Sequence, residues 1–160
     1  MTDKKQWLAA FLKFLESEIQ LLKTAAIATY DAATNEESKP ENQYDTRALE
    51  ASYLAGAQAK RVNEIEVVIQ LFHTLNFKNF SAHEAIALTA LVELKVDGKR
   101  GRFLVMPNGG GISCEIAHET TQIVTPSSAM GEAIMGLEVG DVAEFEIGQR
   151  VRLCEILSVI

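Results

Sequence analysis

The chain has 160 residues, of which 48% are hydrophobic and 23% are charged, and its formal net charge is −7 at pH 7. This length fits one domain, or an extended arm with one small globular unit. No apolar run approaches the roughly 20 residues that span a bilayer, and the first residues lack the apolar core of a secretory signal. We therefore expect a cytoplasmic protein with no membrane partner.

Neither half of the chain has an excess of basic residues. Residues 1–80 carry nine basic and eleven acidic side chains, and residues 81–160 carry six and eleven. Tight binding to a phosphate backbone normally requires clustered Lys and Arg. The composition therefore argues against nucleic acid as the main direct partner.

The cysteine and histidine residues, which often act as catalytic groups or metal ligands, are scattered through the chain, and three glycines lie in a row. They lack Cys-x-x-Cys spacing, metal-ligand spacing and the Gly-Lys-Ser/Thr that completes a phosphate-binding loop. No Ser or Cys lies in a recognisable nucleophile elbow. We expect reduced, buried cysteines, a loop at the glycines and no self-contained active site; the residues concerned are Cys114, Cys154, His73, His83, His118 and the three glycines at 109–111.

Two apolar rows with the spacing of a coiled coil occupy the first half. Each row advances by alternating steps of four and three. The first row is Leu8, Leu12, Leu15, Ile19, Leu22, Ala26, Thr29 and Ala33, and the second is Tyr44, Ala48, Ala51, Ala55, Gln58, Val62, Ile65, Ile69 and Phe72. In an antiparallel hairpin the numbers of facing residues add to a constant, and the two rows align with a constant of 77. The pattern predicts a first helix over about 4–33 that folds back on a second helix.

The turn between these helices is also marked in the sequence. Ser38 and Glu41 have the spacing of a capping box, and Pro40 is tolerated in the first turn of a helix because the N–H groups there lack intrahelical partners. The second helix is therefore expected to begin at about Lys39 and to end within residues 73–75.

Three aromatic residues near the start of the first helix need to be covered. They are Trp7, Phe11 and Phe14, and they lie on a second face beside the coiled-coil row. We expect them to pack on the second helix or on the second half of the chain, because burying aromatic area is the commoner use of such residues. A ligand-binding role is the alternative.

After residue 85 the hydrophobic period changes from that of a helix to that of strands. The pattern predicts an α+β protein in which an N-terminal antiparallel helical hairpin precedes a small antiparallel β unit with one short helix. Its domains would be the hairpin at 1–76, a linker at 77–83 and the β unit at 84–160. Within that unit we expect strands at 86–96 and 101–106, a turn at Asp97-Gly98, a loop at 107–111, a strand at 122–125, a helix at 127–135, and a hairpin of 142–147 with 150–160.

Carboxylates are concentrated around the turn of the hairpin. One interpretation is a solvated turn, since acids near a helix N-terminus are stabilised there anyway. The other is that a narrow arm carries hard-cation ligands into the cavity of a partner and completes a coordination shell that the partner begins. The acids are Asp31, Glu36, Glu37, Glu41, Asp45 and Glu50, against Lys39 and Arg47.

Several segments resemble the Gre family of bacterial transcript cleavage factors. Residues 41–45, Glu-Asn-Gln-Tyr-Asp, with 53–56, Tyr-Leu-Ala-Gly, are similar to the family's tip and descending helix. Residues 131–141 match its Gly-x-Ala-Leu-x-Gly-x-x-x-Gly-Asp, and residues 123–128 are similar to the lead-in of that motif. The resemblance covers nearly the whole chain.

The resemblance implies a C-terminal domain of FKBP-like fold that docks on RNA polymerase, with a coiled-coil arm that enters the secondary channel. Tip carboxylates would help to hold the Mg²⁺ of the polymerase active site; Glu37 and Glu41 are the candidates, with Glu36 in reserve. The segment containing Gly131, Gly136, Gly140 and Asp141 would bind the partner. The chain would be an accessory factor, with no cofactor of its own, that meets RNA and DNA only through the elongation complex.

Two departures from the family pattern concern the arm. The family tip has an Asp three residues before its Glu, whereas Ser38 stands at that offset from Glu41 and Glu37 lies one residue further away. The second helix also has about four extra residues after Gly56. Two functions therefore stay open: the protein stimulates RNA cleavage, or it occupies the secondary channel without stimulating cleavage.

Two further alternatives come from other functional classes. An FKBP-like prolyl isomerase or chaperone would require aromatic pocket walls, but residues 81–160 contain only Phe103 and Phe145. A structural adaptor would dock its hairpin on another helical protein. A monomer is expected, because the two apolar rows satisfy each other within one chain.

Overall fold

Two long helices form the first half of the protein. The computed structural model describes residues 4–34, 47–116 and 118–160. Helix α1 spans Lys4–Thr34 and helix α2 spans Arg47–Thr74, which confirms the first predicted helix and the predicted end of the second. The predicted turn and the start at Lys39 lie outside the described residues. Of the described helices, none has the length and apolarity that crossing a membrane requires.

The chain divides into two compact units. The arm unit is Leu12–Gln70, and the sheet unit is Met1–Phe11 together with Leu71–Ile160. The sheet unit therefore includes the first residues of α1 and the last residues of α2. The predicted domain boundaries at 76 and 84 rest on a change of sequence period rather than on compactness, and they stay a prediction.

Within the arm unit the buried side chains are aliphatic. Leu15 and Ile19 of α1 and Ile65 of α2 belong to the predicted apolar rows, and all three are buried. Val68 is also fully buried although it lies outside the predicted row. Burial of these side chains, at roughly 25 cal/mol per Å² of apolar surface, is what stabilises a long helix beyond its own propensity.

Contacts between α1 and α2 depart from the predicted register. Residues 18 and 61 add to 79, residues 23 and 66 to 89, and residues 11 and 72 to 83, whereas the rows predicted 77. Long ionic side chains reach over more than one helical turn, and at the base large aromatic rings set the spacing instead of the small residues nearer the turn. The pairs are Glu18–Arg61 (4.0 Å), Lys23–Glu66 (2.7 Å) and the stacked rings of Phe11 and Phe72 (5.5 Å between centroids).

An aromatic cluster joins both helix bases within the sheet unit. Trp7 and Phe11 are buried, with ring centroids 5.1 Å apart. Phe72 stacks on Phe11 and also contacts Phe77, at 5.3 Å between centroids. The expectation that Trp7 and Phe11 pack within the protein is confirmed.

The sheet unit contains one six-stranded sheet and one short helix. The sheet order is β3-β4-β2-β1-β6-β5. This arrangement confirms the predicted α+β class with a single short helix. The elements are β1 Leu91–Val96, β2 Lys99–Val105, β3 Ser113–Ile116, β4 Glu119–Val124, α3 Ala129–Ile134, β5 Val142–Ile147 and β6 Arg150–Val159.

Two features of the sheet differ from the sequence expectation. Strand β3 was not predicted, since four residues after a glycine loop give little periodicity. The sheet was expected to be antiparallel, yet β2 pairs with β4 in parallel. The cause is that β3 and β4 form a hairpin, which places β4 beside β2 after the chain has already reversed once.

The ends of β1 follow local backbone geometry. The predicted turn at Asp97-Gly98 is confirmed, with φ of 48° and 82° at its two residues, the left-handed values that a tight hairpin turn requires. The strand begins at Leu91 rather than at residue 86 because Thr89 has a φ of 72°. A β-branched residue in that region interrupts an extended run.

One face of the sheet forms the main core, against which α3 packs. Its members come from β1, β2, β4, β5, β6, α3 and the segment before β1, so the core depends on the whole sheet unit. They include Phe80, Ile86, Val92, Leu94, Val105, Val124, Ile134, Phe145, Cys154, Ile156 and Val159.

Lys4 anchors the first turn of α1 inside the sheet unit. It is 4% exposed, and its Nζ donates hydrogen bonds to the carbonyl oxygens of Lys78 (2.5 Å) and Ile160 (2.7 Å). The Nζ also lies 5.0 Å from the ring centroid of Phe80. Burial, and secondarily the charge of Lys78, lowers the pKa of Lys4 from 10.5 to about 8.

This lowered pKa predicts a pH dependence of stability. Because the folded state releases the Lys4 proton near pH 8 and the unfolded state releases it near pH 10.5, the unfolded state binds more protons between these values. The contribution of Lys4 to the free energy of unfolding should therefore rise with pH, by about 1–2 kcal/mol from pH 7.5 to 9.5. Urea unfolding of wild type and Lys4→Met at both pH values measures it.

The measured quantity is the difference in the free energy of unfolding between wild type and Lys4→Met. Groups that titrate in both proteins contribute equally to the two values and cancel. Lys13→Met removes an exposed lysine from the same helix and serves as the control. A wild-type to Lys4→Met difference that is equal at pH 7.5 and 9.5 would contradict the assignment.

Candidate functional site

The acidic segment predicted to carry metal ligands lies between α1 and α2 in the sequence. Helix α1 is described as far as Thr34 and α2 from Arg47. Glu36, Glu37 and Glu41 fall in the intervening twelve residues and lie outside the described residues. Their role as ligands to a shared Mg²⁺ stays a prediction.

Apolar side chains are exposed on the described helices that flank this segment. On α1, Ile27 and Tyr30 are 63% and 62% exposed, and on α2 Leu49, Tyr53 and Leu54 are 56%, 73% and 53% exposed. None of these residues belongs to the predicted coiled-coil rows. Their absence from the rows is the sequence feature that indicates an outward-facing side chain. A partner that encloses this part of the arm would meet apolar as well as acidic groups.

Gly131 fills a position that tolerates no side chain. A Cβ at Gly131 would lie 1.9 Å from the main-chain oxygen of Thr125. The approach is fixed by the start of α3, where the Ser128 hydroxyl accepts a hydrogen bond from the Gly131 N–H (3.1 Å) and donates one to the Thr125 oxygen (2.7 Å). Ser128 is the N-cap of α3.

The other motif residues shape the connection from α3 to β5. Gly136 and Gly140 have φ of 81° and 95°, which side-chain-bearing residues rarely adopt. Their N–H groups donate to the oxygens of Ile86 and Ile156, each at 2.9 Å. Asp141 accepts a hydrogen bond from the main-chain N–H of Glu138 through Oδ2 at 2.8 Å.

These contacts give each of the four motif residues a role in local structure. The connection from α3 to β5 leaves Glu138 exposed and Val139 37% exposed, so the motif presents an acidic and an apolar side chain at the surface. Whether a partner binds there is a prediction that the intramolecular contacts do not test.

Ionisable groups do not assemble into a metal centre in the part of the chain that the structure describes, where no three His, Cys, Asp or Glu side chains come together. Cys114 and Cys154 are both buried and free, as expected. Burial raises the pKa of the Cys154 thiol, which makes it a poor nucleophile.

A groove runs between the sheet and the start of α3. Its volume is about 410 Å³ and its lining includes Phe103, Met130 and Ile147. Phe145, the other aromatic residue of this half, is 4% exposed and belongs to the core. The groove therefore has one aromatic wall residue, which gives little support to the prolyl isomerase alternative.

No family model matches the chain, and no curated protein matches it. Solved structures do. The chain is similar to GreA factor homolog 1 (Gfh1) of Thermus thermophilus, with 16% identity over 93% of this chain and 94% of that one and a TM-score of 0.38. It is also similar to Gfh1 of Thermus aquaticus, with 16% identity over 97% and 92% and a TM-score of 0.37.

A third similar structure is the prokaryotic transcription elongation factor GreA/GreB from Nitrosomonas europaea. The identity is 13%, the match covers 69% of this chain and 91% of that one, and the TM-score is 0.34. At these values the functional conclusion has to rest on the residues and geometry of the chain itself.

Proposed function

We propose that this chain is a transcription elongation factor that binds RNA polymerase, inserts its helical arm into the secondary channel and stimulates cleavage of backtracked RNA by the polymerase. The observation that supports this most is the arm itself, in which helices of 31 and 28 described residues flank a twelve-residue segment that contains Glu36, Glu37 and Glu41. The chain would act as an accessory factor in the cytoplasm, as a monomer.

The length of the arm would allow its carboxylates to enter a deep channel of the partner. The part of α1 that belongs to the arm unit is residues 12–34, which at about 1.5 Å per residue extends about 35 Å. The donor set of Glu37 and Glu41, with Glu36 in reserve, consists of the hard oxygen ligands that Mg²⁺ prefers. Two carboxylates are too few to hold the ion alone, so they would complete a shell begun by the polymerase.

Bound Mg²⁺ activates water and stabilises developing negative charge on a phosphate. The residues of this chain would position that ion from the solvent side. The sheet unit, for which the resemblance implies an FKBP-like fold, would dock outside the channel through the segment of Gly131, Gly136, Gly140 and Asp141. Exposed Glu138 and Val139 on that segment would make the contact.

The test is RNA cleavage in a backtracked elongation complex, with the wild type and the Glu37→Ala/Glu41→Ala double variant compared side by side. We expect the wild type to accelerate cleavage and the double variant to lose about tenfold or more of that acceleration, the order of magnitude for losing metal positioning. Glu16→Ala/Glu144→Ala removes two exposed acids elsewhere and should retain the wild-type rate.

Binding to the complex is measured in parallel. If the wild type binds the elongation complex but the RNA length does not change, the cleavage assignment is wrong and the chain is a channel-occupying regulator. If the wild type does not bind polymerase at all, the whole proposal fails.

A further inference from the structure

All six cationic side chains of residues 81–160 lie at one end of the sheet. That end contains the turn between β1 and β2 and the turn between β5 and β6, because β1 ends where β6 begins. Six of the eleven acids of the same half also lie at this end: Glu93, Asp97, Glu119 and Glu155 pair with the cations, and Glu144 and Glu146 lie on β5 near its turn. We call the set of cations the basic end; its members are Lys95, Lys99, Arg100, Arg102, Arg150 and Arg152.

Strand register brings these residues together. Lys95 is the cross-strand partner of Arg100, and Val96 is the partner of Lys99. Two cations directly opposite each other repel, so the pairing of Lys95 with Arg100 destabilises the sheet locally. Arg152 reaches the turn itself, where its Nε lies 3.7 Å from Asp97 Oδ2.

Four of the six cations have an acidic neighbour. Arg102 and Glu93 are partly buried and the other side chains of these pairs are exposed, and an exposed ion pair contributes at most about 1 kcal/mol. Lys99 and Arg150 have no carboxylate within 4 Å among the residues that the structure describes. The four pairs are Arg100–Glu93 (3.2 Å), Arg102–Glu119 (2.5 Å), Lys95–Glu155 (3.3 Å) and Arg152–Asp97 (3.7 Å).

Two grooves open at the basic end, and Phe103 lines both. One, of about 550 Å³, is also lined by Arg100, Arg102 and the carboxylates of Glu93 and Glu119. The other, of about 320 Å³, is lined by Lys99, Arg100 and Arg152 around the same ring.

Gly101 keeps the Phe103 ring accessible from one side. A Cβ at Gly101 would lie 3.0 Å from Cε2 of that ring, so a larger residue there would cover the aromatic edge that now borders the grooves. Phe103 itself is half-buried. By strand register Lys99 lies on the same face of β2 as Phe103, whereas Arg100 lies on the other face, and both residues line a groove with the ring.

We propose that the basic end binds single-stranded nucleic acid, with one base against Phe103 and the flanking phosphates on Lys99, Arg100 and Arg152. Aromatic rings flanked by cations are how proteins hold unpaired bases without reading their sequence, and Arg binds phosphate with two parallel hydrogen bonds. An acidic peptide would use the cations but would leave Phe103 without a partner. The inference is independent of the proposed function.

Fluorescence anisotropy with a labelled single-stranded 12-mer RNA tests this, over a salt series starting at about 50 mM. We expect saturable binding that Lys99→Gln/Arg100→Gln weakens about tenfold. The slope of log affinity against log salt should decrease in magnitude by about 1.4, since each lost phosphate contact removes about 0.7 for a single strand. Lys13→Gln/Lys60→Gln makes the same change in net charge on exposed arm positions and should bind like wild type.

Phe103→Leu separates nucleic acid from other polyanions. It should weaken RNA binding about fivefold or more with an unchanged salt slope, and it should leave binding of a labelled poly-glutamate peptide unaltered. Thermal unfolding of the variant checks that the sheet is intact; if Phe103→Leu does not fold, Phe103→Tyr, which keeps the ring, should bind like wild type.

Three outcomes would overturn the proposal. One is the absence of RNA binding up to about 100 μM protein at low salt, the weak end of non-specific binding. The second is an equal loss of affinity in the two double-glutamine variants, which would make the effect one of net charge alone. The third is tighter binding of poly-glutamate than of RNA, which would assign the basic end to an acidic protein partner.

Discussion

Replacing Gly131 with alanine should lower the free energy of unfolding by about 2–4 kcal/mol, near the upper end of single-residue effects. Alanine is the better helix former by about 1 kcal/mol, but the added Cβ would lie 1.9 Å from the Thr125 oxygen. Neither atom can move freely, because the Thr125 oxygen is bonded by the Ser128 hydroxyl and by the Ser128 N–H. Steric overlap therefore outweighs helix propensity, and urea unfolding measures the result.

Gly56→Ala is the matched control for this prediction. Gly56 lies within α2, and a Cβ there would meet no atom within 4 Å. Propensity should then act alone and raise the free energy of unfolding by about 0.5–1 kcal/mol. Two glycine-to-alanine changes in helices should thus have opposite signs, and a Gly131→Ala variant as stable as wild type would contradict the close approach at the start of α3.

Phe11→Ala should lower the free energy of unfolding by about 3–5 kcal/mol, the range for removing a buried aromatic side chain. Phe11 has no exposed surface, and its ring stacks on Phe72 with an interplanar angle of 10°. Trp7 packs on the same ring, so the cavity would open between the rings of Trp7 and Phe72. The measurement is the midpoint of chemical unfolding followed through Trp7 fluorescence.

Leu21→Ala controls for the loss of a large apolar side chain from the same helix. Leu21 is 73% exposed, so its truncation should change the free energy of unfolding by about 0.5 kcal/mol or less. Equal effects of Phe11→Ala and Leu21→Ala would show that the aromatic cluster does not stabilise the helix bases. That result would also undermine the placement of Phe11 in the sheet unit.

Local signals in the sequence predicted most of the secondary structure. A coiled-coil row predicts a long helix wherever it is uninterrupted, and α1 is found at Lys4–Thr34. The turn at Asp97-Gly98 is confirmed because these two residue types tolerate the left-handed backbone that the turn needs. Strand β3 escaped prediction, since its four residues gain their strand conformation from pairing with β4 rather than from their own pattern.

The candidate sites also contain some features that the sequence shows and others that depend on the fold. The acidic tip around Glu37 and Glu41 is a feature of composition, so the sequence identifies it without the fold. The motif at 131–141 was also visible, but the reason for Gly131 was not, because the Thr125 oxygen that excludes a side chain becomes its neighbour only when α3 folds back on the turn. The register of α1 against α2 was predicted from row spacing alone, whereas the contacts between the helices depend on side-chain size and reach.

The sequence by itself determined the fold class, the two long helices and the acidic composition of residues 35–46, because each of these depends on residues close together in the chain. The tertiary structure decided the parallel pairing of β2 with β4, the aromatic cluster at the helix bases and the burial of Lys4. It also decided the basic end of the sheet, where strand pairing brings residues 95–103 beside residues 150–152 and places Lys99, Arg100, Arg102 and Arg152 along grooves that Phe103 lines. Average charge follows from composition, but local charge depends on which strands are neighbours.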